Sequence, residues 1–528
     1  MEMECHSYML PLVACCFFFL LWSIFHAVVF ATGGGNGCGS HHAPRSYPVV
    51  GCLVDFYRNR RRLLDWYTGL LAASPSQTVV VDRLGARRTV VTANPANVEH
   101  ILKGNFGNYP KGKPFTDVLG DLLGGGIFNA DGERWRAQRK LVSHQFTARA
   151  LREQVGAALE REARARLVPA LDAAAAGGGV VDVQELLREF AFNVVCRVSL
   201  GVDPGDDGEL ALAMSRLAAA FDAAAAIIAR RGAAPVAAVW KAKRALGVGS
   251  ERRLREEVKV VHDAIAELIR HGRREHPPAR RDGLVSRMAA AGYPDEAIRD
   301  TVISFIMAGR DTTSSALTWF FWLMARHRDV EREVLREVDA CMMTCDRDGG
   351  GGAAAGVDLD ASRKMRVLHA ALCETMRLYP PVAWDSKHAA EGDVLPDGTR
   401  VGRGDRVTYF PYGMGRMEAI WGADAGEFRP RRWLALTPTD AADSSSTSVC
   451  GVSPFKFPVF QGGPRTCLGK EMAFVEMKFV ASAVLRRFEL RPVDEGRTPV
   501  FVPLLTAHMA GGLRVTVRRR EKNGTCER

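Results

Sequence analysis

The sequence predicts a mainly α-helical protein with small β-sheets, standing behind an N-terminal membrane-spanning helix. Three observations predict that class. From Asp131 to about Arg377 the chain is rich in Ala, Leu, Arg and Glu, and its apolar residues recur at helical spacing. Short β-branched runs fall outside that block, at Thr78-Val-Val-Val81 and Thr89-Val-Val-Thr92 before it and at Arg406-Val-Thr-Tyr-Phe410 and Leu513-Arg-Val-Thr-Val-Arg518 after it. Met9 to Ala31 is almost wholly apolar and, at about 1.5 Å per residue, reaches roughly 34 Å, enough to cross a hydrocarbon core of about 30 Å.

Residues 1–31 therefore read as a membrane anchor. Glu2 and Glu4 precede the span, whereas Arg45, Arg58, Arg60, Arg61 and Arg62 follow it, so the positive-inside bias puts the main domain in the cytosol. The span is long for the apolar core of a cleaved signal peptide, and no basic segment precedes it. Residues 32–51 read as a Gly- and Pro-containing linker, 52–520 as the catalytic domain and 521–528 as a polar tail. The two valine runs flank Asp82-Arg-Leu-Gly85 as a hairpin, and Asn94 caps a helix opened by Pro95. Ala173–Gly179, Gly349–Gly356 and Ser444–Ser448 read as surface loops, and the pattern places small sheets at the two ends of a helical body.

A chain of 528 residues holds one large domain or two to four ordinary ones, and its 47% hydrophobic and 25% charged residues exclude a disordered chain. The net charge of +11 is spread along the sequence without zinc-finger spacing or an aromatic-and-basic motif. That sets nucleic acid aside in favour of a membrane surface and an acidic protein partner. Twelve cysteines without C-x-x-C pairs argue against a disulfide framework and for a reducing compartment.

The chemistry concentrates in Phe460-Gln-Gly-Gly-Pro-Arg-Thr-Cys-Leu-Gly469. An isolated Cys is more often a small buried hydrophobe than a ligand. Cys467, however, stands in a glycine-rich basic loop just before a helical stretch, and positive charge and a helix N-terminus both stabilise a thiolate. Gly463 and Gly469 would let the backbone pass close to a flat cofactor, and Arg465 would face an anionic group. Glu374 and Arg377 share a helix face at i, i+3, and Arg432 follows in Phe428-Arg-Pro-Arg-Arg-Trp433. Ala308-Gly-Arg-Asp-Thr-Thr313 sets a costly glycine inside a long apolar helix, Val302 to Leu323, which suggests a local break in hydrogen bonding. Helix packing, with a hydroxyl bonded to the preceding turn, is the plain alternative. Trp135 and Arg139 stand one helical turn apart, the spacing of a cation–π pair.

These motifs, in this order behind an anchor, resemble those of the cytochrome P-450 family over essentially the whole chain. The resemblance implies the P-450 fold, haem b (iron protoporphyrin IX) with Cys467 as the axial ligand to its iron, and electrons from NADPH through a reductase. It implies that Phe460, Gly463, Arg465 and Gly469 surround the haem, with Trp135, Arg139 and His388 at its propionates. It makes Glu374, Arg377 and Arg432 a structural triad, and Thr312 and Asp311 the pair that delivers protons to bound dioxygen. The activity implied is monooxygenation at the endoplasmic-reticulum membrane, with a single-pass anchor. Two rivals remain: a peroxide-rearranging relative that needs no reductase, against which the intact Asp311-Thr312 pair argues, and a non-catalytic haem-binding membrane protein.

The substrate reading is narrower. Asn108–Asp117 and Gly126–Trp135 resemble plant fatty-acid ω-hydroxylases, while Trp384–His388, Phe410–Arg416 and Val502–Gly511 resemble a plant subgroup that oxidises jasmonoyl-isoleucine at its terminal carbon. The expected substrate is a carboxylate-bearing acyl chain hydroxylated at its terminal (omega) carbon. Jasmonoyl-L-isoleucine, 12-hydroxylated in jasmonate catabolism, comes first and a free fatty acid is the alternative. Because a primary C–H bond is the hardest to oxidise, a narrow apolar funnel must hold the methyl group. Its candidate wall is Phe115, Leu119, Phe128, Phe305, Ala308, Val382, Trp384, Leu504 and Leu505, with ordinary core as the competing reading of each. Ala223–Ala238 reads as a membrane-facing lid over substrate access, and no carboxylate anchor stands out.

Overall fold

The computed structural model describes residues 44–48, 50–147, 150–201, 208–234, 236–275, 284–347, 359–434 and 451–521. The N-terminal apolar span and the expected loops at Gly349–Gly356 and Ser444–Ser448 lie outside the described residues. The described chain is mainly helical with four small sheets, in agreement with the expected class.

The valine runs pair antiparallel as Thr78–Val81 against Thr89–Thr92, with Thr78 opposite Thr92. They do not form a separate N-terminal sheet, as the sequence pattern suggested. Thr89–Thr92 also pairs parallel with Arg406–Tyr409, which pairs antiparallel with Asp385–His388, so one four-stranded sheet joins both halves of the chain. In the same way Val180–Asp182 pairs with Arg514–Arg519, beside Phe488–Pro492. Local composition marks a strand, but burial against distant neighbours selects its partner.

Ala173–Gly179 is mostly helix rather than loop. Val168–Gly177 is helical and stops at Gly178, which is left-handed at φ 63°. Alanine is the strongest helix former and glycine the common stop, so composition alone misled there. Asn94 caps its helix as expected, its Oδ1 accepting from the Ala96 N–H at 2.9 Å. Ordered packing begins before residue 52, because Gly51 bridges both Tyr47 and Arg83 of the hairpin loop.

Three apolar clusters make the core. The largest surrounds the helix Thr312–Arg326, which carries Trp319 and Phe320 fully buried and packs on Val183–Leu200, Arg366–Leu378 and Lys470–Leu485. A helix apolar on all sides must be buried on all sides. The second cluster joins Gly208–Gly232, Gly249–Glu275 and Asp295–Ile306, and the third backs the four-stranded sheet.

Beneath the largest cluster lies a buried ionic network. Glu374 accepts from Arg377 Nε at 2.7 Å and Nη2 at 2.8 Å, and from Arg432 Nε at 3.0 Å. The indole of Trp433 and the backbone N–H of Arg429 add two further donors, each at 2.8 Å. The triad read from sequence is thus assembled around one carboxylate. Removing one partner of a buried pair costs about 3–5 kcal/mol, so Glu374→Gln should lower the urea unfolding midpoint sharply. An unchanged midpoint would show the network to be dispensable.

Candidate active site

The helix running from Asp295 to Arg326 contains one wide turn. Regular α-helix ends at Ile306 and resumes at Thr312, with a π-helical turn at Met307–Asp311 between. That is where the sequence suggests a break, and such turns concentrate at functional sites. Thr312 Oγ1 donates to the Ala308 carbonyl at 2.6 Å, so the plain alternative also holds: the hydroxyl is bonded to the preceding turn while the residue lines a cavity. Gly309 has a packing reason as well, because a Cβ there would lie 2.9 Å from Val195 Cγ2 of the neighbouring helix.

Asp311 is not part of the cavity lining. Its Oδ1 is buried without a hydrogen bond, 3.6 Å from Arg310 Nη1. Arg310 is committed elsewhere, its Nη1 and Nη2 donating to Asp222 Oδ1 and Oδ2 at 2.6 and 3.0 Å. Burial pushes the Asp311 carboxyl upward from its usual range, against the opposing pull of Arg310 and Arg188.

The cysteine loop forms another wall of the same cavity, whose volume is about 540 Å³. The Cys467 N–H donates to the Phe460 carbonyl at 2.8 Å and closes the loop. Gly463 has a packing reason of its own. At φ +61° it is left-handed, and a Cβ would lie 2.1 Å from the Leu102 carbonyl oxygen, so it admits neighbouring backbone rather than a flat cofactor. Gly469 does line the cavity, where a Cβ would meet the Phe146 ring at 3.4 Å and Cys467 Sγ at 3.9 Å. All nine wall candidates line this cavity, together with Trp135, Arg139, His388, Phe460 and Arg465.

The cytochrome P450 family model matches residues 42–508. The chain belongs to the cytochrome P450 family. It is 56% identical to cytochrome P450 94B1 of Arabidopsis thaliana, across 91% of this chain and 92% of that one. Identity to cytochrome P450 94B3 of the same plant is also 56%, with the same coverage, and to cytochrome P450 94A1 of Vicia sativa it is 39%, across 90% of this chain and 91% of that one. This P450 is accordingly a monooxygenase that binds haem and takes electrons from a reductase.

The residues present fit a haem. Cys467 is accessible through the cavity, yet burial raises its thiol pKa, outweighing the Gly469 backbone N–H, Arg139 and Lys470, which lower it. The basic loop alone therefore does not hold a thiolate, whereas a bound metal deprotonates a coordinating thiol outright. Two orphaned polar atoms face the propionate question directly. Arg465 stacks over Trp135 at 4.6 Å and bonds Asp131 Oδ1 at 2.6 Å, but its Nε is buried without a partner. His388 Nδ1 bonds the Lys111 carbonyl at 2.7 Å, leaving Nε2 buried and unpartnered. Burial holds that imidazole neutral, lowering its pKa to about 4, and a carboxylate placed at Nε2 would bring a second proton onto the ring. Arg139 Nη2 donates to the Thr466 carbonyl at 2.7 Å, beside the cysteine.

Sequence reasoning missed three parts of the lining. Asp385 accepts from Lys111 Nζ at 2.7 Å, Lys387 Nζ at 2.8 Å, Tyr409 OH at 2.9 Å and Gln461 Nε2 at 3.0 Å. The alternation in Trp384-Asp-Ser-Lys-His388 was the available signal, since it puts Asp385 and Lys387 on one strand face. Arg83 and Arg406 also line the cavity. So does Glu476, whose Oε1 is buried without a partner and whose carboxyl is pushed by burial to about 8.

Glu476 yields a pH prediction. A folded-state pKa above the unfolded value of 4.5 means the folded protein holds the proton longer, so stability falls as pH rises from about 4.5 to about 8. Unfolding midpoints across that window should fall less steeply in Glu476→Gln than in the wild type. Parallel slopes in the two proteins would remove Glu476 as the cause.

Proposed function

We propose that this P450 hydroxylates the terminal carbon of a carboxylate-bearing acyl chain, with jasmonoyl-isoleucine as its first substrate. The observation that carries the reading is the aromatic and aliphatic wall that runs up to the thiolate loop. Phe146 lies against Gly469 and stacks on Phe305 at 5.7 Å, and Phe305 stands on the helix that bears Ala308 and Thr312. Ile228, Ala229, Gly232 and Ala233 add an apolar roof from the expected lid. The resemblance of Trp384–His388 and Val502–Gly511 to the jasmonoyl-isoleucine subgroup supports the substrate choice.

Cys467 would hold the haem iron, with Trp135, Arg139, Arg465 and His388 at the acidic edge of the ring. When bound, the haem supplies the activation of dioxygen and its insertion into a C–H bond, and thiolate donation favours O–O cleavage. The apolar wall excludes water and holds the terminal methyl group in place. Thr312 presents its hydroxyl at the cavity, and Asp311, behind it in the widened turn, stores the proton that Thr312 passes on. The N-terminal apolar span would tether the domain to the endoplasmic-reticulum membrane. Ala211–Gly232 is also long and apolar enough to cross a membrane by length and composition, but it packs on Gly249–Glu275 and is read as part of the lid.

Two measurements test the reading. Microsomes carrying the protein, a plant reductase and NADPH would receive equal jasmonoyl-isoleucine and dodecanoic acid, with products identified by mass spectrometry. Terminal hydroxylation of the conjugate is expected to dominate, and preference for the free acid would make the protein a lipid hydroxylase instead. Thr312→Ala should keep consuming NADPH while product per NADPH falls about a hundredfold, the low end of what a positioned acid–base group contributes. Unchanged coupling would remove Thr312 from the relay.

A further inference from the structure

We propose that Arg83 and Arg406 form the subsite of the cavity that binds the substrate carboxylate. The proposal rests on the acyl-substrate reading above and deepens it.

Both guanidiniums line the cavity, and each carries a buried N–H without a partner: Nη1 of Arg83 and Nε of Arg406. Neither has an acidic partner among the described residues. The groups that face Arg83 are Tyr67 and Cys52, and those that face Arg406 are Arg83, Arg87 and Tyr67. Burial lowers the pKa of both, and Arg83 adds repulsion at Arg406. Arg83 is instead stacked over the Phe56 ring at 3.9 Å. A charge drawn out of water is costly unless it is paired, and two adjacent half-buried cations raise that cost. The fully buried arginines Arg377, Arg310 and Arg231 are matched by carboxylates, those of Glu374, Asp222 and Glu251. Arg83 and Arg406 are therefore a cavity-lining cationic pair without an anion among the described residues, and a carboxylate is the group a guanidinium fork fits in bidentate fashion.

The sheet places this pair usefully. Val81, Thr89, Arg406 and His388 are successive partners across the four strands, and all four line the cavity. At about 4.8 Å per strand, the outer strand bearing Val81 lies roughly 14 Å from the strand bearing His388. Arg83 stands two residues beyond Val81. Carboxylate at the sheet and methyl at the thiolate loop is the polarity that ω-hydroxylation requires.

A carboxylate at Arg406 has two possible sources, a substrate or a haem propionate, because His388 is its strand neighbour. The experiment separates them. Purified, haem-loaded wild type, Arg83→Leu, Arg406→Leu and Arg406→Lys would be compared by equilibrium dialysis with dodecanoic acid, methyl dodecanoate, jasmonoyl-isoleucine and its methyl ester. Haem content would be measured for each protein. Wild type should bind each acid more tightly than its ester. The two leucine variants should lose about tenfold or more in acid affinity, the ester affinities staying within about twofold, and Arg406→Lys should retain part of the preference. Equal binding of acid and ester by the wild type, or equal losses of both in the variants, would overturn the subsite while leaving the acyl reading standing. Loss of haem from the leucine variants would assign the guanidiniums to the propionates and overturn the substrate role. Binding of none of the four probes by the wild type would overturn the acyl reading and the subsite together.

Discussion

The buried carboxylate of Glu374 is the interaction on which the site's floor depends. It gathers donors from its own helix and from the segment that precedes the cysteine loop, Arg429 to Trp433. Arg377 then reaches past it, donating to the carbonyls of Gly415, of Ala425 at 2.6 Å and of Glu427 at 2.8 Å. Four stretches of chain are fixed to one another by two side chains. Such a network yields little net stability relative to apolar packing, but it admits only one arrangement of its donors. Close packing reinforces it, since a Cβ at Gly415 would lie 2.0 Å from the Arg377 carbonyl oxygen. The cysteine loop thus starts from a rigid floor.

The roof is held differently. Arg231, at the end of the Gly208–Gly232 helix, bonds both oxygens of Glu251 and, at 2.6 Å, Asp121, and it stacks over Trp240 at 5.0 Å. Farther along that helix Asp222 holds Arg310 of the widened turn and also Arg188, at 2.8 Å. The roof is therefore pinned at ionic points in addition to the apolar packing of Leu217, Phe221 and Ile228 in the second cluster. The same tie takes the directed hydrogen bonds of Arg310, which stays 3.6 Å from Asp311 Oδ1, and burial outweighs its pull so that holding a proton is favoured there.

Much of this was legible in the sequence because local chemistry demanded it. The Cys467 loop, the Asn94 cap, the Glu374–Arg377 spacing and the break at Ala308–Thr313 each rest on residues within a few positions of one another, and each appears where expected. What escaped depended on distant partners. The hairpin gave no sign that Arg406–Tyr409 would join it. Gly463 was assigned to the cofactor because its neighbour Leu102 lies far away in sequence. That Thr312 lines the cavity while Asp311 sits behind it also depends on how the widened turn packs, since successive helical residues point in different directions. Arg83 and Arg406 look like ordinary residues of a hairpin and a strand, since lacking a counter-ion is a property of space and not of sequence.

Terminal selectivity is a demand that an apolar wall cannot meet alone. Sliding an acyl chain by one carbon changes its buried surface by about one methylene, worth about 0.8 kcal/mol, or about fourfold in population. That is too shallow to keep the weaker secondary C–H bonds away from the reacting centre. A chain is held in register only when its far end is fixed as well, and a charged end can be fixed only by a countercharge out of water. The cysteine loop lines one part of the cavity, and the four-stranded sheet lines another. Only a cation on that sheet that is free of its own carboxylate can serve, because a paired guanidinium has already spent its directed hydrogen bonds. On the proposed reading, regiochemistry would be set as much by the sheet as by the residues beside Cys467.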